Sequence, residues 1–128
     1  MTISEVAKQY EITQDTLRYY ERIGLIPEVP RKQNGIRNYD EESCRWIEFA
    51  KCMRKVGMPI EAIIEYVTLF KQGNETIEAR IRLLKEQREK LMKKRDDIEI
   101  TIKRLDHKIE IYDEIKQGKR SDFLDKSH

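Results

Sequence analysis

The stretch from Thr16 to Pro27, TLRYYERIGLIP, concentrates side chains that can contact nucleic acid. Neighbouring residues on a helix do not share a face, so some of these large side chains must point outward. Arginine forms paired hydrogen bonds to guanine in the major groove, whereas tyrosine and threonine hydroxyls can contact phosphates. Arg18 and Tyr19 therefore indicate a DNA-contacting surface, and the alternative interpretation is a solvated helix face.

A second basic element follows directly and favours the DNA interpretation. The window 31–37 contains Arg31, Lys32 and Arg37 and no acidic residue. Asn34-Gly35 is typical of a type I′ hairpin turn, so two short strands are predicted near 30–32 and 37–39. An outward-facing helix can enter a groove of DNA, and a basic wing beside it can contact the phosphates that flank the groove.

Two short helices are predicted to position these side chains. The first carries apolar residues at helical spacing over 3–10, and Thr2 with Glu5 fits a capping box. After a turn over 11–13, Thr13 can cap a second helix that runs to about Ile23 and ends at Gly24. Two helices joined by a three-residue turn match the helix-turn-helix spacing, here at about 3–23.

Two further helices are predicted to complete a domain over residues 1–72. Asp40 can cap a third helix running to about Val56, and Pro59 suits the first position of a fourth helix ending at Gly73. The predicted buried stripe of the third helix consists of Trp46, Phe49, Ala50, Met53 and Val56. The predicted fold class is therefore mainly α, a helix-turn-helix domain with a wing at about 30–39.

The region 75–116 has a different pattern, in which large side chains recur every seven residues. One series is Ile77, Leu84, Leu91, Ile98, Leu105 and Tyr112, and the second is Ile81, Arg88, Arg95, Ile102 and Ile109. This heptad pattern predicts a dimeric coiled coil, with a solvated linker helix as the alternative. The residues 117–128 are predicted to form a flexible polar tail.

Composition limits the classes of function that remain. The chain has 128 residues, of which 39% are charged, and a net charge of +2. Residues 1–74 contain 11 basic and 11 acidic side chains, so DNA binding must depend on local placement rather than on net charge. No segment is long and apolar enough to span a membrane, and the expected location is the cytoplasm. No phosphate loop, metal cluster or nucleophile–base set appears, so neither an enzyme nor a cofactor or metal is predicted.

The segment ISEVAKQYEITQDTLRYYERIGLIPEVPRKQNGIRNYDEE resembles the DNA-binding domain of MerR-type transcription regulators. The resemblance implies a winged helix-turn-helix, an antiparallel coiled-coil homodimer, and binding to a near-palindromic promoter site. It also implies activation by distortion of an overlong promoter spacer, through which RNA polymerase is affected indirectly. The full set of expected DNA contacts is Gln14, Thr16, Arg18, Tyr19, Tyr20, Arg31, Lys32, Arg37 and Tyr39. MerR-type proteins usually have glycine at the position of Glu11, which would cost about 1 kcal/mol if that position needs a positive φ.

Cys52 is the candidate for effector sensing. The chain resembles the short thiol-dependent branch of this family, NmlR or AdhR-like, whose members respond to reactive aldehydes through a cysteine at this position. Lys51 and Lys55 are neighbouring cations that favour a thiolate, whereas Glu48 opposes one. We expect Cys52 to border the core and Cys44 to face solvent, and the hypothesis is alkylation or oxidation of Cys52. The alternative is that Cys52 is a packing residue.

Two other interpretations of function are compatible with the sequence. One is a MerR-type regulator without thiol sensing that is controlled by a partner protein. The other is a coiled-coil scaffold whose basic head binds a protein. Salt-dependent binding to a palindromic duplex distinguishes the scaffold from the regulators, because phosphate contacts release counterions.

Overall fold

The structure, a computed structural model, describes residues 1–119, which are mainly helical, and most of the tail predicted at 117–128 lies outside them. A single 3-10 turn at Asn74–Thr76 precedes the last helix. The chain divides into two compact units, the first being Met1–Gln87 and the second the remainder. The five helices are α1 (Ile3–Gln9), α2 (Gln14–Ile23), α3 (Glu41–Lys55), α4 (Ile60–Lys71) and α5 (Ile77–Lys116).

The starts of α1 and α2 are confirmed by their caps. Thr2 Oγ1 accepts a hydrogen bond from the Glu5 amide at 3.1 Å, and the Glu5 carboxylate accepts one from the Thr2 amide at 2.9 Å. Thr13 Oγ1 accepts from the Thr16 amide at 3.1 Å and so caps α2. These bonds satisfy backbone donors that have no partner inside the helix. Both caps are set by residues three positions apart, which is why the sequence alone predicts them.

The turn between α1 and α2 contains a strained residue. Glu11 has φ 53°, the one positive φ outside glycine among residues 1–119. Its neighbour Ile12 donates to the Ala7 carbonyl at 3.0 Å, which closes the end of α1. The position therefore has the left-handed backbone under which a residue other than glycine is strained, and Glu11 has a β-carbon where glycine would avoid that strain. At the other end of α2, Gly24 adopts φ 86°, as predicted for a helix-ending glycine.

The core of the first unit uses only part of the predicted stripe of α3, together with residues outside it. The cap by Asp40 is confirmed, since its carboxylate accepts from the Ser43 amide at 2.8 Å. However, Val56 is 45% exposed and Trp46, Phe49 and Met53 are only half-buried. Of the predicted stripe, Ala50 is fully buried and Trp46, Phe49 and Met53 pack against the core, so only Val56 was wrong. The rings of Trp46 and Phe49 also contact Tyr66 of α4, and these two side chains lie at the edge of the core. The buried residues of α3 are Ser43, Cys44, Ile47 and Ala50.

Two predicted helix starts shift by one or two residues. Pro59 is the cap residue before α4 rather than its first helical residue, with φ −57° and an extended ψ of 140°. The last helix begins at Ile77 instead of 75, because the 3-10 turn at Asn74–Thr76 intervenes. In that turn the Thr76 hydroxyl donates to the Leu69 carbonyl at 2.6 Å. This bond ties the start of α5 to the end of α4.

The wing is a hairpin with less regular pairing than predicted. Instead of two strands, a single antiparallel bridge joins Arg31 to Arg37. Gly35 N donates to the Lys32 carbonyl at 2.9 Å, so Gln33 and Asn34 are the central residues of the turn. Gly35 has φ 83° but Asn34 does not have a positive φ, so the predicted type I′ turn was wrong. A turn followed by a left-handed glycine is the geometry of a three-residue hairpin loop.

Helix α5 has two kinds of surface. In the first unit, Leu83 and Gln87 are buried, and in the second Ile111 is 2% exposed. Most of the side chains at the heptad positions are instead exposed to solvent in the single chain. As a separate observation, no helix within residues 1–119 is both long enough and apolar enough to cross a membrane. The exposed heptad side chains, each at least 37% accessible, are Ile77, Ile81, Leu84, Ile98, Ile102, Leu105, Ile109 and Tyr112.

Candidate nucleic-acid interface

Helix α2 turns one face inward and one face outward. Leu17 is fully buried, whereas Gln14, Arg18 and Tyr19 are exposed. Residues three and four apart share a face, so Gln14 and Arg18 form one row, and their exposure places that row on the outer side of α2. The outward row therefore presents an amide, a guanidinium and a phenol at the N-terminal half of α2.

Arg18 is held by light contacts along this row. Its Nη1 lies 3.0 Å from Asp15 Oδ1, and its Nη2 donates to Gln14 Oε1 at 3.4 Å. The Arg18 and Asp15 side chains are 44% and 96% exposed, so this ion pair is a weak surface contact. The guanidinium of Arg22 lies 5.5 Å from the centre of the Tyr19 ring. The row is thus arranged by contacts that an incoming partner can replace at small cost.

Thr16 is half-buried and has a local role in the helix start. Its hydroxyl lies 2.7 Å from the Thr13 hydroxyl, while its amide donates to the same Thr13 oxygen. A hydroxyl both donates and accepts, so this pairing leaves Thr16 with hydrogen-bonding capacity. Among the predicted DNA contacts on α2, Thr16 is the residue that hydrogen-bonds to the capping residue Thr13 in the turn before the helix.

The wing places Arg31 and Lys32 in solvent beside α2. Arg31 Nη1 donates to the Gly35 carbonyl at 2.7 Å, which braces the hairpin across its loop. Lys32 is exposed at the start of the turn, and Ile36 beyond it is 57% exposed. The predicted basic residues of the wing therefore remain accessible, apart from Arg37, which is half-buried.

A carboxylate that the sequence analysis did not single out joins α2 to the wing. Glu21 Oε1 lies 2.6 Å from Arg37 Nε, and Glu21 Oε2 accepts from the Val29 amide at 3.1 Å. Glu21 follows Leu17 by four residues and so lies on the inward side of α2. An acidic residue on an inward face needs a partner, and that sequence signal could have identified it.

The wing and α2 enclose an open cleft of about 700 Å³. Four arginines and two glutamates contribute to its walls: Arg18, Arg22, Arg31, Arg37, Glu21 and Glu28. The first 74 residues are electrically neutral as a whole, but this concavity has an excess of positive charge. Local concentration of one sign of charge in a concave surface attracts a polyanion.

Two of the predicted contact residues lie in the core. Tyr20 is 8% exposed and Tyr39 is 1% exposed, so neither side chain has much surface to offer to DNA. Burial raises the pKa of both phenols, and Tyr39 also senses Arg37 and Glu21. Tyr20 belongs to the expected contacts through the resemblance to MerR-type regulators, although its spacing from Leu17 already predicts an inward position, and Tyr39 belongs to them as part of the wing. Their burial argues against direct side-chain contact.

The two cysteines exchange their expected environments. Cys44 is buried and Cys52 is exposed, so both expectations of their burial were wrong. The core face of α3 is centred on Ile47, which is three residues from Cys44 and five from Cys52. Burial and the neighbouring Cys44 thiol raise the pKa of Tyr10. Lys51 donates to the Tyr10 carbonyl and so turns toward the domain.

The comparisons with known proteins cover nearly the whole described chain. Residues 1–69 match a family described as MerR HTH family regulatory protein, and residues 44–108 match one described as MerR, DNA binding. The transcriptional regulator AdhR of Bacillus subtilis is 59% identical over 92 residues. The matched segment covers 72% of this chain and 66% of the relative, slightly under two thirds of that relative's length.

Two solved structures are similar over most of their length. A MerR family regulator from Listeria monocytogenes is 45% identical with a TM-score of 0.86, covering 88% of this chain and 86% of that one. HiNmlR, a MerR family regulator lacking the sensor domain and bound to promoter DNA, is 26% identical with a TM-score of 0.81. That match covers 91% of this chain and 92% of HiNmlR. By both sequence and fold, the chain belongs to the MerR family of DNA-binding transcription regulators.

Proposed function

We propose that the helix-turn-helix domain over residues 1–72, called the head from here on, binds promoter DNA with α2 in the major groove and the wing on the adjacent backbone. The observation that carries this proposal is the placement of Arg18 and Arg31 on two walls of one positively charged cleft. A helix fits the major groove, and a flanking basic element can reach phosphates at the same time. Gln14 and Tyr19 extend the contact along α2, and Lys32 extends it along the wing.

Arg18 is the side chain we assign to base contact. Its ion pair with Asp15 is exposed, so exchanging that contact for a guanine edge loses little energy. A bidentate arginine–guanine pair discriminates against other bases by about 1–3 kcal/mol. HiNmlR, which is similar over most of this chain, is described as bound to promoter DNA.

The protein acts as a homodimer in this proposal, joined through the heptad positions of α5. Ile98 and Leu105 lie seven residues apart, and their side chains are 59% and 58% exposed in the single chain. A row of large apolar side chains at this spacing is buried when two helices pair. We take the pairing to be antiparallel, so that two heads separate and engage two halves of a near-palindromic site.

Activation follows from the strain that two rigidly joined heads impose on the DNA. If the heads are spaced for a shorter or more twisted duplex, binding bends or untwists the spacer between the promoter elements. RNA polymerase then engages both elements, without any direct contact from this protein. The energy for this distortion comes from the contacts of both heads together.

Cys52 is the proposed sensor of reactive aldehydes and related electrophiles. Its side chain is exposed near the end of α3, so a small electrophile reaches the sulfur without opening the fold. With an α,β-unsaturated aldehyde, a bond forms between sulfur and the β-carbon and the α-carbon takes up a proton. The adduct adds bulk at the border of α3 and changes how the head is held on the DNA.

The experiment that tests this function uses a duplex selected by the wild-type protein from a random-sequence pool. We expect Arg18→Ala to raise the Kd for that duplex by about tenfold to a hundredfold. Arg45→Ala is the matched control, because Arg45 is an exposed arginine of α3 away from the cleft. Equal losses in both variants, or no selection of any sequence by the wild type, would contradict the proposed DNA contact.

The sensing step has its own test. A reporter with the selected site is exposed to acrolein in cells that carry the wild type, Cys52→Ala or Cys44→Ala. We expect the response to be lost in Cys52→Ala and retained in Cys44→Ala. A response that persists in Cys52→Ala would favour the regulator without thiol sensing.

A further inference from the structure

Glu21 is an acidic residue within a surface that we assign to DNA. It lies in the middle of the motif Arg18-Tyr19-Tyr20-Glu21-Arg22, yet its side chain is only 11% exposed. Its charge alone would repel phosphates and lower the affinity for DNA. The contacts of the Glu21 carboxylate with the wing are a second effect, which can offset this repulsion.

The two oxygens of Glu21 hold two different parts of the wing. Oε1 accepts from Arg37 Nε at 2.6 Å, on the second arm of the hairpin. Oε2 accepts from the Val29 amide at 3.1 Å, just before the first arm. Charge-assisted bonds of this length are stronger than neutral ones. One side chain of α2 thus fixes both ends of the wing, and a glutamine has only one acceptor oxygen for the two donors.

The bond to Glu21 uses only one edge of the Arg37 guanidinium. The side chain of Arg37 is 25% exposed, and it lines the cleft. Within residues 1–119, its Nε donates to Glu21, while no protein acceptor binds its two terminal nitrogens. Tyr39, which is 1% exposed, lies near enough to this pair for the charges of Arg37 and Glu21 to act on its pKa, which burial raises. The terminal nitrogens are the part of Arg37 left for a ligand.

We propose that Glu21 is a positioning residue for DNA binding, which clamps the wing to α2 and aims the terminal nitrogens of Arg37 at a phosphate. This inference rests on the proposed docking of the cleft on DNA. In this role Glu21 increases the affinity for DNA, although its negative charge alone would decrease it. Removing the charge should weaken DNA binding, whereas simple electrostatics predicts that removal strengthens it.

The test measures binding to the selected duplex by fluorescence anisotropy at several salt concentrations. We expect Glu21→Gln to raise the Kd by about tenfold or more, as for loss of a charge-assisted hydrogen bond. The slope of log K against log salt should become shallower by about 0.9 for each head that loses its Arg37–phosphate contact. A role confined to fold stability would leave that slope unchanged.

The matched control is Glu28→Gln, which removes an exposed acidic charge from the same cleft. That variant should bind as tightly as the wild type or slightly more tightly. In a double-mutant cycle, Glu21→Gln should add little to the loss caused by Arg37→Gln, because both remove one contact. Tighter binding by Glu21→Gln, or independent additive losses, would overturn the inference.

A second variant keeps the test decisive if Glu21→Gln does not fold. Arg37→Lys retains the positive charge but lacks Nε, so it cannot hold Glu21 and a phosphate through separate edges. We expect the same loss of affinity and the same shallower slope. Wild-type affinity in Arg37→Lys would overturn the positioning role, whereas failure of the wild type to bind any duplex would overturn the proposed function instead.

Discussion

Cys44 and Cys52 lie on the same helix, eight residues apart, and only the second is exposed. Eight helical residues correspond to about 12 Å between the two backbones, beyond the reach of a disulfide. The two thiols are therefore chemically separate groups. One is held in the core against Tyr10, and the other is available to reagents in solvent.

This difference predicts selective alkylation of the native protein. We expect iodoacetamide to modify Cys52 at least about tenfold faster than Cys44, because a buried thiol reacts only after local opening. Peptide mapping by mass spectrometry over a time course measures both rates. In concentrated urea the two rates should converge, and faster labelling of Cys44 in the folded protein would contradict the burial described here.

The proposed dimer interface along the heptad positions of α5 predicts that lysine substitution of two similarly exposed isoleucines has different effects on dimer dissociation. Ile102 is a heptad residue and Ile100 is not, yet they are 49% and 53% exposed in the single chain. Lysine at position 102 would place a charge in this interface, so Ile102→Lys should raise the dimer dissociation constant by at least about a hundredfold. Ile100→Lys should leave it almost unchanged. Sedimentation equilibrium measures both, and equal effects would exclude the assigned register.

Local signals in the sequence were sufficient for the starts of α1, α2 and α3 and for much of the outward face of α2. The caps by Thr2 and Thr13 depend on residues three positions away, so their pattern is visible without the fold. The partner of Glu21 is 16 residues distant, and the pair forms only after the wing packs on α2. The burial of Cys44 likewise depends on which face of α3 meets α1. The inward position of Glu21 indicates that it needs a partner, but tertiary packing decides which partner it meets and which face of α3 is buried.

The left-handed residues at the two ends of α2 predict stability changes of opposite sign. Glu11 has φ 53°, so Glu11→Gly should raise the free energy of unfolding by about 1 kcal/mol by relieving the β-carbon strain. Gly24 has φ 86°, so Gly24→Ala should lower it by about the same amount. The added β-carbon at position 24 would meet Ile64 at an ordinary 3.8 Å, so the cost is conformational. Urea denaturation measures both variants, and a loss of stability in Glu11→Gly would contradict the first expectation.

The cap of α3 predicts a dependence of stability on pH. Hydrogen bonds from the Ser43 amide and hydroxyl hold the pKa of Asp40 below its ordinary value. A carboxyl whose pKa is lower in the folded state stabilises the fold above its unfolded pKa of about 4. That contribution is lost as the pH falls through the folded-state pKa.

Asp40→Asn and Asp40→Ala separate the charge from the cap itself. Asparagine still caps the helix, so Asp40→Asn should lose only about 0.3–1 kcal/mol at pH 7, the effect of the charge on the helix dipole. Asp40→Ala loses the cap as well and should cost about 1 kcal/mol or more. Urea denaturation from pH 7 to pH 3 should show the difference between wild type and Asp40→Asn shrinking below pH 4, because neutral aspartic acid no longer has the charge. A difference that stays constant over this range would show that the Asp40 charge does not stabilise the fold.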